Sequence, residues 1–354
     1  MTYHVLLLLL LPLFIFLRGM PPRPIIIWTI ILFSLCNLGV TVGYHRLFSH
    51  KTYDAHPMVE LVLLFFGTLS LQGSAVAWSS DHRIHHRHVD THKDPYNIQE
   101  GFWHAHIGWL FIDRKPDLSN VKDLLANKWL AFQHRHYLLL AASANIAVTL
   151  VAGFMFGDMF AAIVFIFLLR TFMSHHTTFF INSLAHTWGS KPYSREHSAV
   201  NNWIISLLTF GEGYHNYHHT FAGDYRNGVR WYQYDPSKSI IWILDKVGLA
   251  KQLKRSNKYA AQIRLIREDR KVMLEEMRLK GIAKYKAFEL EMQDKYKALL
   301  ESMQTLQQQH FEYKMLKKAK KEERRLVKAK IKTQKILVKY NTRVWAMLCK
   351  KVFS

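Results

Sequence analysis

The chain has 354 residues, of which 49% are hydrophobic, and it carries a formal net charge of +22. Residues 251–354 hold most of this charge, because they contain 29 Lys and Arg against 11 Asp and Glu. The two cysteines, Cys36 and Cys349, exclude a disulfide framework and a built-in iron–sulfur cluster, so any redox chemistry must take electrons from another protein.

Two apolar segments open the chain, at residues 5–17 and 25–44. A membrane-spanning helix needs about 20 apolar residues, so the first segment must recruit its neighbours to cross. The N-terminus lacks both a basic n-region and a small-residue cleavage site. This pattern predicts a retained first span rather than a removed signal peptide.

The first histidine motif, HRLFSH, follows the second apolar segment and contains His45 and His50. Residues five apart point about 140° away from each other on a regular α-helix. We therefore predict that the helix loosens after Tyr44 and so brings these two side chains together. The next apolar run, residues 58–78, separates this motif from the second one. We predict that it dips into the bilayer and returns to the same side.

Two later histidine motifs repeat one spacing. At i, i+3 and i+4 three side chains fall within an arc of about 100° on an α-helix, whereas adjacent side chains diverge by about 100°. Each triple can therefore supply two metal ions. The triples are His82, His85 and His86 in HRIHH, and His215, His218 and His219 in HNYHH.

A second pair of apolar segments, at residues 137–156 and 159–181, predicts a second hairpin of membrane spans. The motif NSLAH follows it and contains Asn182 and His186. As residues i and i+4, these two are predicted to share a helical face, and an amide oxygen can hold a metal-bound water.

The number and type of donors indicate the metals. Eight imidazoles in three motifs exceed the usual four ligands of a zinc site, which predicts two ions. Donors that are all nitrogen favour iron, copper, nickel or zinc and exclude magnesium and calcium. Zinc also enters such sites after heavy expression. The other histidines, such as His175 and His176, lack the repeated spacing and are interpreted as supporting or surface residues.

We predict an all-α integral membrane protein with four transmembrane helices in two hairpins, a cytoplasmic helical cap that holds the dimetal site, and a long helical C-terminal tail. The predicted domains are residues 1–250 and 251–354. By the positive-inside rule, the basic tail is expected in the cytoplasm, and the catalytic face is expected on the same side. The expected location is a bacterial inner membrane.

The tail itself consists of helix-forming residues from Ser256 onward, interrupted only by Gly281, which predicts one or two long helices. A solvated charged helix or loose coiled coil is the first interpretation of the tail. A segment bound to the membrane surface is the second. No nucleic-acid partner is expected, because no recognition motif accompanies the charge.

The histidine motifs resemble those of the membrane fatty-acid desaturases, most closely the stearoyl-CoA type acyl-CoA desaturases in a form without a cytochrome b5 domain. The resemblance covers residues 25–244 and includes GYHRLFSH, WSSDHRIHHRHVDTHKDPYN, INSLAHTWG and GEGYHNYHHTFAGDYRNG in the family's order. It implies two iron ions held by nine histidines and by one asparagine through water. One iron would take His45, His50, His82, His86 and His219, and the other His85, His186, His215, His218 and, through water, Asn182.

The resemblance also implies the reaction. It predicts an O2-dependent desaturase that places a cis double bond, at the ninth carbon, in a saturated chain held in a bent tunnel at Gln72, Trp78 and Thr178. An unactivated methylene has no acidic proton and no leaving group, so acid–base or nucleophilic catalysis has nothing to act on. A related diiron hydroxylase or monooxygenase, and a metal-binding membrane scaffold without activity, are the alternatives. Carboxylates that could orient the ligand imidazoles are Asp81, Asp90, Asp94, Glu212 and Asp224.

The partners follow from the same resemblance. Coenzyme A enzymes of this family carry basic residues where this chain has Ser80 and Asp113, and Arg114 and Lys115 are the candidate substitutes. Fatty acyl-CoA is the expected substrate, with a phospholipid or an acyl carrier protein as alternative carriers. The chain contains no HPGG haem motif. We therefore expect a separate electron-transfer protein or reductase, and membrane lipid as the other partner.

Overall fold

The computed structural model describes residues 2–113, 115–279, 285–316 and 321–353. These residues are mostly helical, as predicted, and fall into two compact units, one of Met1–Lys191 with Glu196–Arg255 and one of Pro192–Arg195 with Ser256–Ser354. In the described part of the chain, three helices are long and apolar enough to cross a membrane: Arg23–Ser49, Tyr137–Phe156 and Met159–His186.

The first unit begins with helices α1 (Thr2–Arg18) and α2 (Arg23–Leu38). With 17 residues, α1 is shorter than the about 20 that a span requires, so the first of the four spans stays a prediction. α2 continues directly into a π-helix over Gly39–Ser49. The predicted loosening is thereby confirmed, although it starts at Gly39 and not after Tyr44.

The apolar run after the first histidine motif forms α3 (Pro57–Leu69), whose 13 residues are too few to cross a bilayer. Leu71 and Gly73 both have positive φ and turn the chain into α4 (Ala75–His88). α3 packs closely on the π-helix. A Cβ on Gly39 would lie only 2.6 Å from the backbone nitrogen of Gly67.

A buried arginine holds the end of α3. Arg170 donates a 2.8 Å hydrogen bond to the carbonyl oxygen of Leu69 and a second hydrogen bond to the amide oxygen of Asn145. The last carbonyls of a helix have no partner within it, and apolar surroundings offer no water to replace one. Arg170 therefore fixes the turn between α3 and α4.

Short helices connect α4 to the next long one. They are α5 (Phe102–His106), α6 (Lys122–Leu125) and α7 (Lys128–Arg135), with 3-10 turns at Ile98–Glu100, Gly108–Phe111 and Leu118–Val121.

The second pair of apolar segments forms a helical hairpin. α8 (Tyr137–Phe156) ends at Gly157, which has φ of 67° and closes the helix in the left-handed conformation. Asp158 then accepts a 2.9 Å hydrogen bond from the backbone nitrogen of Ala161 and so caps the next helix. That helix runs through α9 (Met159–Ala161), a π-helical stretch over Ala162–Leu169 and α10 (Arg170–Asn182), and a 3-10 turn over Leu184–His186 follows it.

The first unit ends with α11 (Trp203–Leu208), α12 (His215–Thr220) and α13 (Pro236–Lys246). Two short strands, β1 (Asp54–Ala55) and β2 (Ala250–Lys251), then pair antiparallel, with Asp54 opposite Lys251. Lys254 also donates its backbone N–H to the carbonyl of Thr52 at 2.8 Å. These pairings keep the residues up to Arg255 in the first unit.

The second unit consists of α14 (Lys258–Leu279), α15 (Tyr285–Met315) and α16 (Lys321–Phe353). The prediction of one or two helices is wrong, since the described residues form three, while Gly281 lies outside the described residues. Met273, Met292, Leu299 and Trp345 lie in the core of this unit. The sequence does not show that the tail is divided into three helices, because Lys, Glu and Leu favour helix throughout it.

Candidate metal centre

Five histidine side chains meet in a first set. Each offers one ring nitrogen, and these nitrogens all lie within 4.8 Å of one another. The Nε2 atoms of His50 and His82 are 2.8 Å apart, and the Nε2 of His218 lies 2.9 Å from that of His86. The set consists of His45, His50, His82, His86 and His218.

Four further histidines meet in a second set under the same distance limit. The Nε2 of His219 lies 3.2 Å from that of His85 and 3.1 Å from that of His215. The set consists of His85, His186, His215 and His219. All nine predicted histidines therefore come together, in two groups, inside one unit.

The π-helix explains how His45 and His50 reach the same set. The backbone N–H of His50 donates to the carbonyl of His45 at 3.1 Å, five residues back, so the two side chains leave the same side of the helix. Their ring centroids are 4.9 Å apart. Arg83 of α4 closes the π-helix by donating to the carbonyl oxygens of Phe48 and Ser49.

The two histidine triples divide between the sets as adjacent residues on a helix must. His82 and His86 join the first set and His85 the second, in agreement with the expected division. In α12, however, His218 joins the first set and His219 the second, so the expected assignment of these two is wrong. On an α-helix residue i+4 is rotated by about 40° and residue i+3 by about 60°, so His215 pairs more readily with His219.

The chemistry of the donors fits metal ions. The Nε2 of His218 lies 2.9 Å from the Nε2 atoms of both His45 and His86, and one ring nitrogen, with either one proton or one lone pair, cannot satisfy two such neighbours. The Nε2 of His186 is buried and has no hydrogen-bond partner among the described residues. A cation bound about 2 Å from each nitrogen would satisfy them together.

Buried acids and a serine orient three of these imidazoles through their Nδ1 atoms. The Nδ1 of His85 lies 2.8 Å from Asp94, and that of His45 lies 3.0 Å from Glu212. The Nδ1 of His186 contacts the hydroxyl of Ser198 at 2.6 Å, and Asp90 accepts a hydrogen bond from that hydroxyl. Such contacts fix the tautomer and direct Nε2 toward a metal.

The other two predicted carboxylates have different surroundings. Asp224 accepts a hydrogen bond from the hydroxyl of Tyr217 and forms an ion pair with Arg226. Asp81 lines a surface pocket together with His92 and Asp113. Ser198, by contrast, was not predicted, because a single serine in a loop carries no spacing signal.

Glu212 connects the first histidine set to a buried ion-pair network. Its second oxygen accepts a 2.9 Å hydrogen bond from Arg46, which also forms an ion pair with Asp235 at 3.0 Å. Burial opposes ionisation of Glu212, but the charges of His45 and Arg46 outweigh it and lower the pKa of Glu212 to about 2. The carboxylate is therefore ionised at neutral pH.

Most histidines of the two sets are neutral for a physical reason. Burial disfavours the charged imidazolium, and neighbouring histidines add to this effect, so both lower the pKa well below that of a free histidine. Neutral imidazole is the form that binds a metal. The pKa is lowered in this way for His50, His82, His86, His215, His218 and His219.

The prediction that Asn182 and His186 share one face of an α-helix is wrong. α10 ends at Asn182, and His186 belongs to the 3-10 turn that follows. The i and i+4 argument assumed one unbroken α-helix through both residues. Asn182 is half-buried at the end of α10, and its role through water stays a prediction.

A narrow, mainly apolar cavity opens beside both histidine sets. Its wall includes His82 of the first set, His215 of the second, and the predicted tunnel residues Trp78 and Thr178. The ring of Trp78 stacks on that of His82 with centroids 4.9 Å apart. Gln72, the third tunnel residue, donates a 2.9 Å hydrogen bond to the hydroxyl of Thr178.

Several histidines outside the motifs also have defined contacts. His175 bonds to the carbonyl oxygens of Ser70 and Leu71 in the turn after α3. His176 contacts His4 and His106, each at 3.1 Å. These residues support the fold, in line with their interpretation.

His197 lies next to the second set, with its ring centroid 5.2 Å from that of His219. Its motif, SREHSAV, contains no second histidine. The spacing of histidines therefore could not predict that His197 lies beside the second set.

Ser80 and Asp113, at the positions considered for binding the acyl carrier, have surroundings of a different kind from a phosphate site. Ser80 is buried, and its hydroxyl donates to the carbonyl of Asp117 at 2.8 Å. Asp113 lines the same surface pocket as Asp81 and Glu100. Lys115 is exposed, whereas Arg114 lies outside the described residues.

Comparison with known proteins gives consistent matches. The model of the family described as "Fatty acid desaturase" matches residues 22–243. "Acyl-CoA desaturase 1" of Saccharomyces cerevisiae is 40% identical over 251 residues, which cover 70% of this chain and 49% of the yeast protein. "Acyl-CoA Delta(11) desaturase" of Trichoplusia ni is 37% identical over 208 residues, covering 57% and 60%.

A mammalian relative is matched over more of its own length. "Stearoyl-CoA desaturase 5" of Bos taurus is 34% identical over 250 residues, covering 68% of this chain and 75% of the bovine protein. The chain spans about half the length of the two yeast relatives that it matches. The matched region contains all nine histidines of the two sets.

Proposed function

Since this chain belongs to the fatty acid desaturase family, we propose that it is an O2-dependent acyl-CoA desaturase. It introduces a cis double bond, at the ninth carbon, into a saturated fatty acyl chain. The observation that carries this proposal is the convergence of nine imidazoles, six of them buried and three half-buried, in two sets beside a narrow apolar cavity. Two iron ions, when bound, would supply with O2 an oxidant able to remove hydrogen from an unactivated methylene.

The ligand sets would hold these ions in fixed positions. Five nitrogens serve one ion and four the other, with Asn182 as the candidate to complete the second through water. Glu212 and Asp94 keep His45 and His85 in the orientation that points Nε2 inward. Because burial keeps most of the imidazoles neutral, these can bind without first losing a proton.

The cavity would position the substrate. Its apolar wall favours an acyl chain over water, which keeps water away from the reacting methylenes. The hydrogen bond from Gln72 to Thr178 fixes one side of the cavity, and the indole of Trp78 shields His82. Which carbons stand beside the irons would be set by the distance from these residues to the end of the tunnel.

The arrangement in the membrane is also part of the proposal. We place four transmembrane helices in two hairpins, with the helical cap and the C-terminus in the cytoplasm. The 2.8 Å contact between His50 and His82 supports the return of residues 58–78 to the side where they entered. The relatives named above are eukaryotic, and the bacterial inner membrane stays a prediction from the sequence.

We assign the chemistry to residues 1–250, which contain both histidine sets. Electrons come from a separate reductase or electron-transfer protein, as the sequence led us to expect. The substrate carrier is coenzyme A, with Lys115 as the exposed basic residue nearest in sequence to Asp113 among the described residues.

The test is expression with a compatible reductase in a strain that requires an external supply of unsaturated fatty acid. We expect growth without that supply and new cis-monounsaturated acyl chains, both of which His85→Ala abolishes. Oxygenated fatty acids without new double bonds would instead identify a hydroxylase. Identical lipids with wild type, His85→Ala and empty vector would favour a scaffold without activity.

A further inference from the structure

The positive charge of the second unit is concentrated in its last helix. Residues 324–353 of α16 contain ten Lys and Arg and no Asp or Glu. α15 is nearly balanced, with four Lys against five acidic residues. Residues 324–353 therefore carry more than half of the tail's net charge of +18.

One face of α16 packs against the other helices of the second unit. Residues at alternating spacings of four and three form a seam that is buried or half-buried, as in a coiled coil. Gln334 donates to the carbonyl of Ser302 at 2.9 Å, and the indole of Trp345 donates to Asp269 at 3.3 Å. The seam consists of Val327, Ile331, Gln334, Val338, Asn341, Trp345 and Leu348.

The opposite face of α16 combines large apolar side chains with cations. Leu326, Ile336, Tyr340 and Met347 are each about two-thirds exposed, at 66, 65, 64 and 63%. Their exposure leaves apolar area in water that burial elsewhere would stabilise. The exposed cations on this side of the helix are Arg325, Lys332, Lys339, Arg343 and Lys350.

We propose that this outer face of α16 lies on an anionic lipid bilayer. Lys and Arg stems extend along apolar surface while their charged heads reach lipid phosphates. The apolar side chains then enter the boundary between headgroups and acyl chains, as in other interfacial amphipathic helices. A bilayer satisfies both groups along the whole helix, whereas an acidic protein would also need an apolar groove matched to the four apolar side chains.

Covalent connection favours this partner. The same chain contains three helices that are long and apolar enough to span a membrane, so a bilayer is always present at high local concentration. A weak attraction of the helix for the lipid surface is then sufficient for binding. The proposal does not depend on the desaturase reaction.

The experiment uses the full chain in nanodiscs of phosphatidylcholine alone, or with about one-third phosphatidylglycerol. An environment-sensitive fluorophore is attached at residue 340 after Tyr340→Cys and Cys349→Ser, while Cys36 stays buried. We expect blue-shifted emission and quenching by spin-labelled lipid only in the anionic discs. Both signals should weaken at least about tenfold at high salt.

Two matched charge variants complete the test. Combined Lys332→Glu, Lys339→Glu and Arg343→Glu should reduce the signal at least about tenfold. Combined Lys295→Glu, Lys297→Glu and Lys314→Glu changes the net charge equally, on exposed positions of α15, and should preserve it. Equal emission in both kinds of disc, or equal loss in both variants, would overturn the proposal. A response to an acidic electron-transfer protein but not to phosphatidylglycerol would also overturn it, in favour of a protein partner.

Discussion

The carboxylate of Glu212 lies 3.0 Å from the Nδ1 of His45. Its other oxygen binds Arg46, the next residue in the same π-helix. One buried acid thus holds a predicted metal ligand and neutralises the cation beside it. The orientation of this ligand therefore depends on a charge that no histidine motif reveals.

Replacing this acid should weaken the first metal position. We expect Glu212→Gln to lower iron retention or turnover by about 10–100-fold, because His45 loses the charged acceptor that orients it. Iron retained against a chelator is the measurement. Glu100→Gln, at an exposed position, is the control. If Glu212→Gln unfolds the protein, the thermal midpoint will report it, and unchanged iron retention in folded protein would contradict the assignment.

The grouping of the histidines predicts how iron is lost in pairs of substitutions. His85→Ala with His219→Ala should remove one iron per chain and leave the other, because both side chains belong to the second set. His86→Ala with His218→Ala should likewise remove only the other iron. Metal analysis of purified protein decides this.

A mixed pair is the control for that grouping. His218→Ala with His219→Ala should weaken both positions, since one residue is taken from each set. If this pair removed one iron and the pair His85→Ala with His219→Ala removed both, the grouping derived from the structure would be refuted.

The tunnel should respond to a larger side chain at its wall. Thr178→Leu removes the hydroxyl that accepts from Gln72 at 2.9 Å and adds volume inside the cavity. We expect lower activity on long acyl chains and a relative gain for shorter ones. The measurement is the product profile with acyl-CoAs of graded length. Ser143→Leu, exposed on α8, should leave this profile unchanged, and an equal profile for both variants would disprove the role of Thr178.

The turn after α3 should depend on Arg170. Arg170→Met removes the charged donor that binds the carbonyl of Leu69 and the amide oxygen of Asn145, and each lost hydrogen bond to a charged group costs about 1.5–3 kcal/mol. A clear fall in the thermal unfolding midpoint in detergent is expected. Arg18→Met removes an exposed arginine whose 3.6 Å ion pair contributes little, so its midpoint should hardly change. Equal midpoints for the two variants would contradict this account.

Metal-free protein should lose stability as the pH falls. Burial lowers the pKa of cluster histidines such as His82 and His218 in the folded state. Below the pKa of a free histidine, about 6.5, the unfolded chain therefore binds more protons than the folded one. The free energy of unfolding must decrease from neutral pH toward pH about 5. Thermal midpoints of metal-free protein across this range check it.

A histidine variant gives the control for this pH dependence. His86→Leu removes one group that would titrate on unfolding, so the fall in stability with decreasing pH should be less steep than in wild type. A steeper fall, or a metal-free wild-type midpoint that rises toward acid pH, would show that these histidines are protonated in the folded protein.

The sequence predicted the features that depend on local periodicity. The five-residue spacing of His45 and His50 required a loosened helix, and a π-helix is present there. The three histidines of α4 lie on one side of their helix, and so do those of α12, because the rotation of about 100° per residue alone determines this arrangement. The helical class followed in the same way from apolar length and helix-forming composition.

Other features depended on contacts between distant segments, and periodicity could not give them. Ser198 reaches His186 only through the path of a loop, and His197 lies beside His219 for the same reason. The resemblance exchanged His218 and His219, because two adjacent ligands look alike in a motif. Asn182 and His186 were joined in one α-helix since no proline or glycine between them marks its end.

Purified, iron-loaded protein supplied with a reductase, O2 and stearoyl-CoA distinguishes a two-iron desaturase from the alternatives. We expect two irons per chain and one cis double bond for each O2 consumed, with no oxygen in the product. A hydroxylated product from protein with both irons bound, or double-bond formation by a variant that has lost both histidine sets, would refute this function.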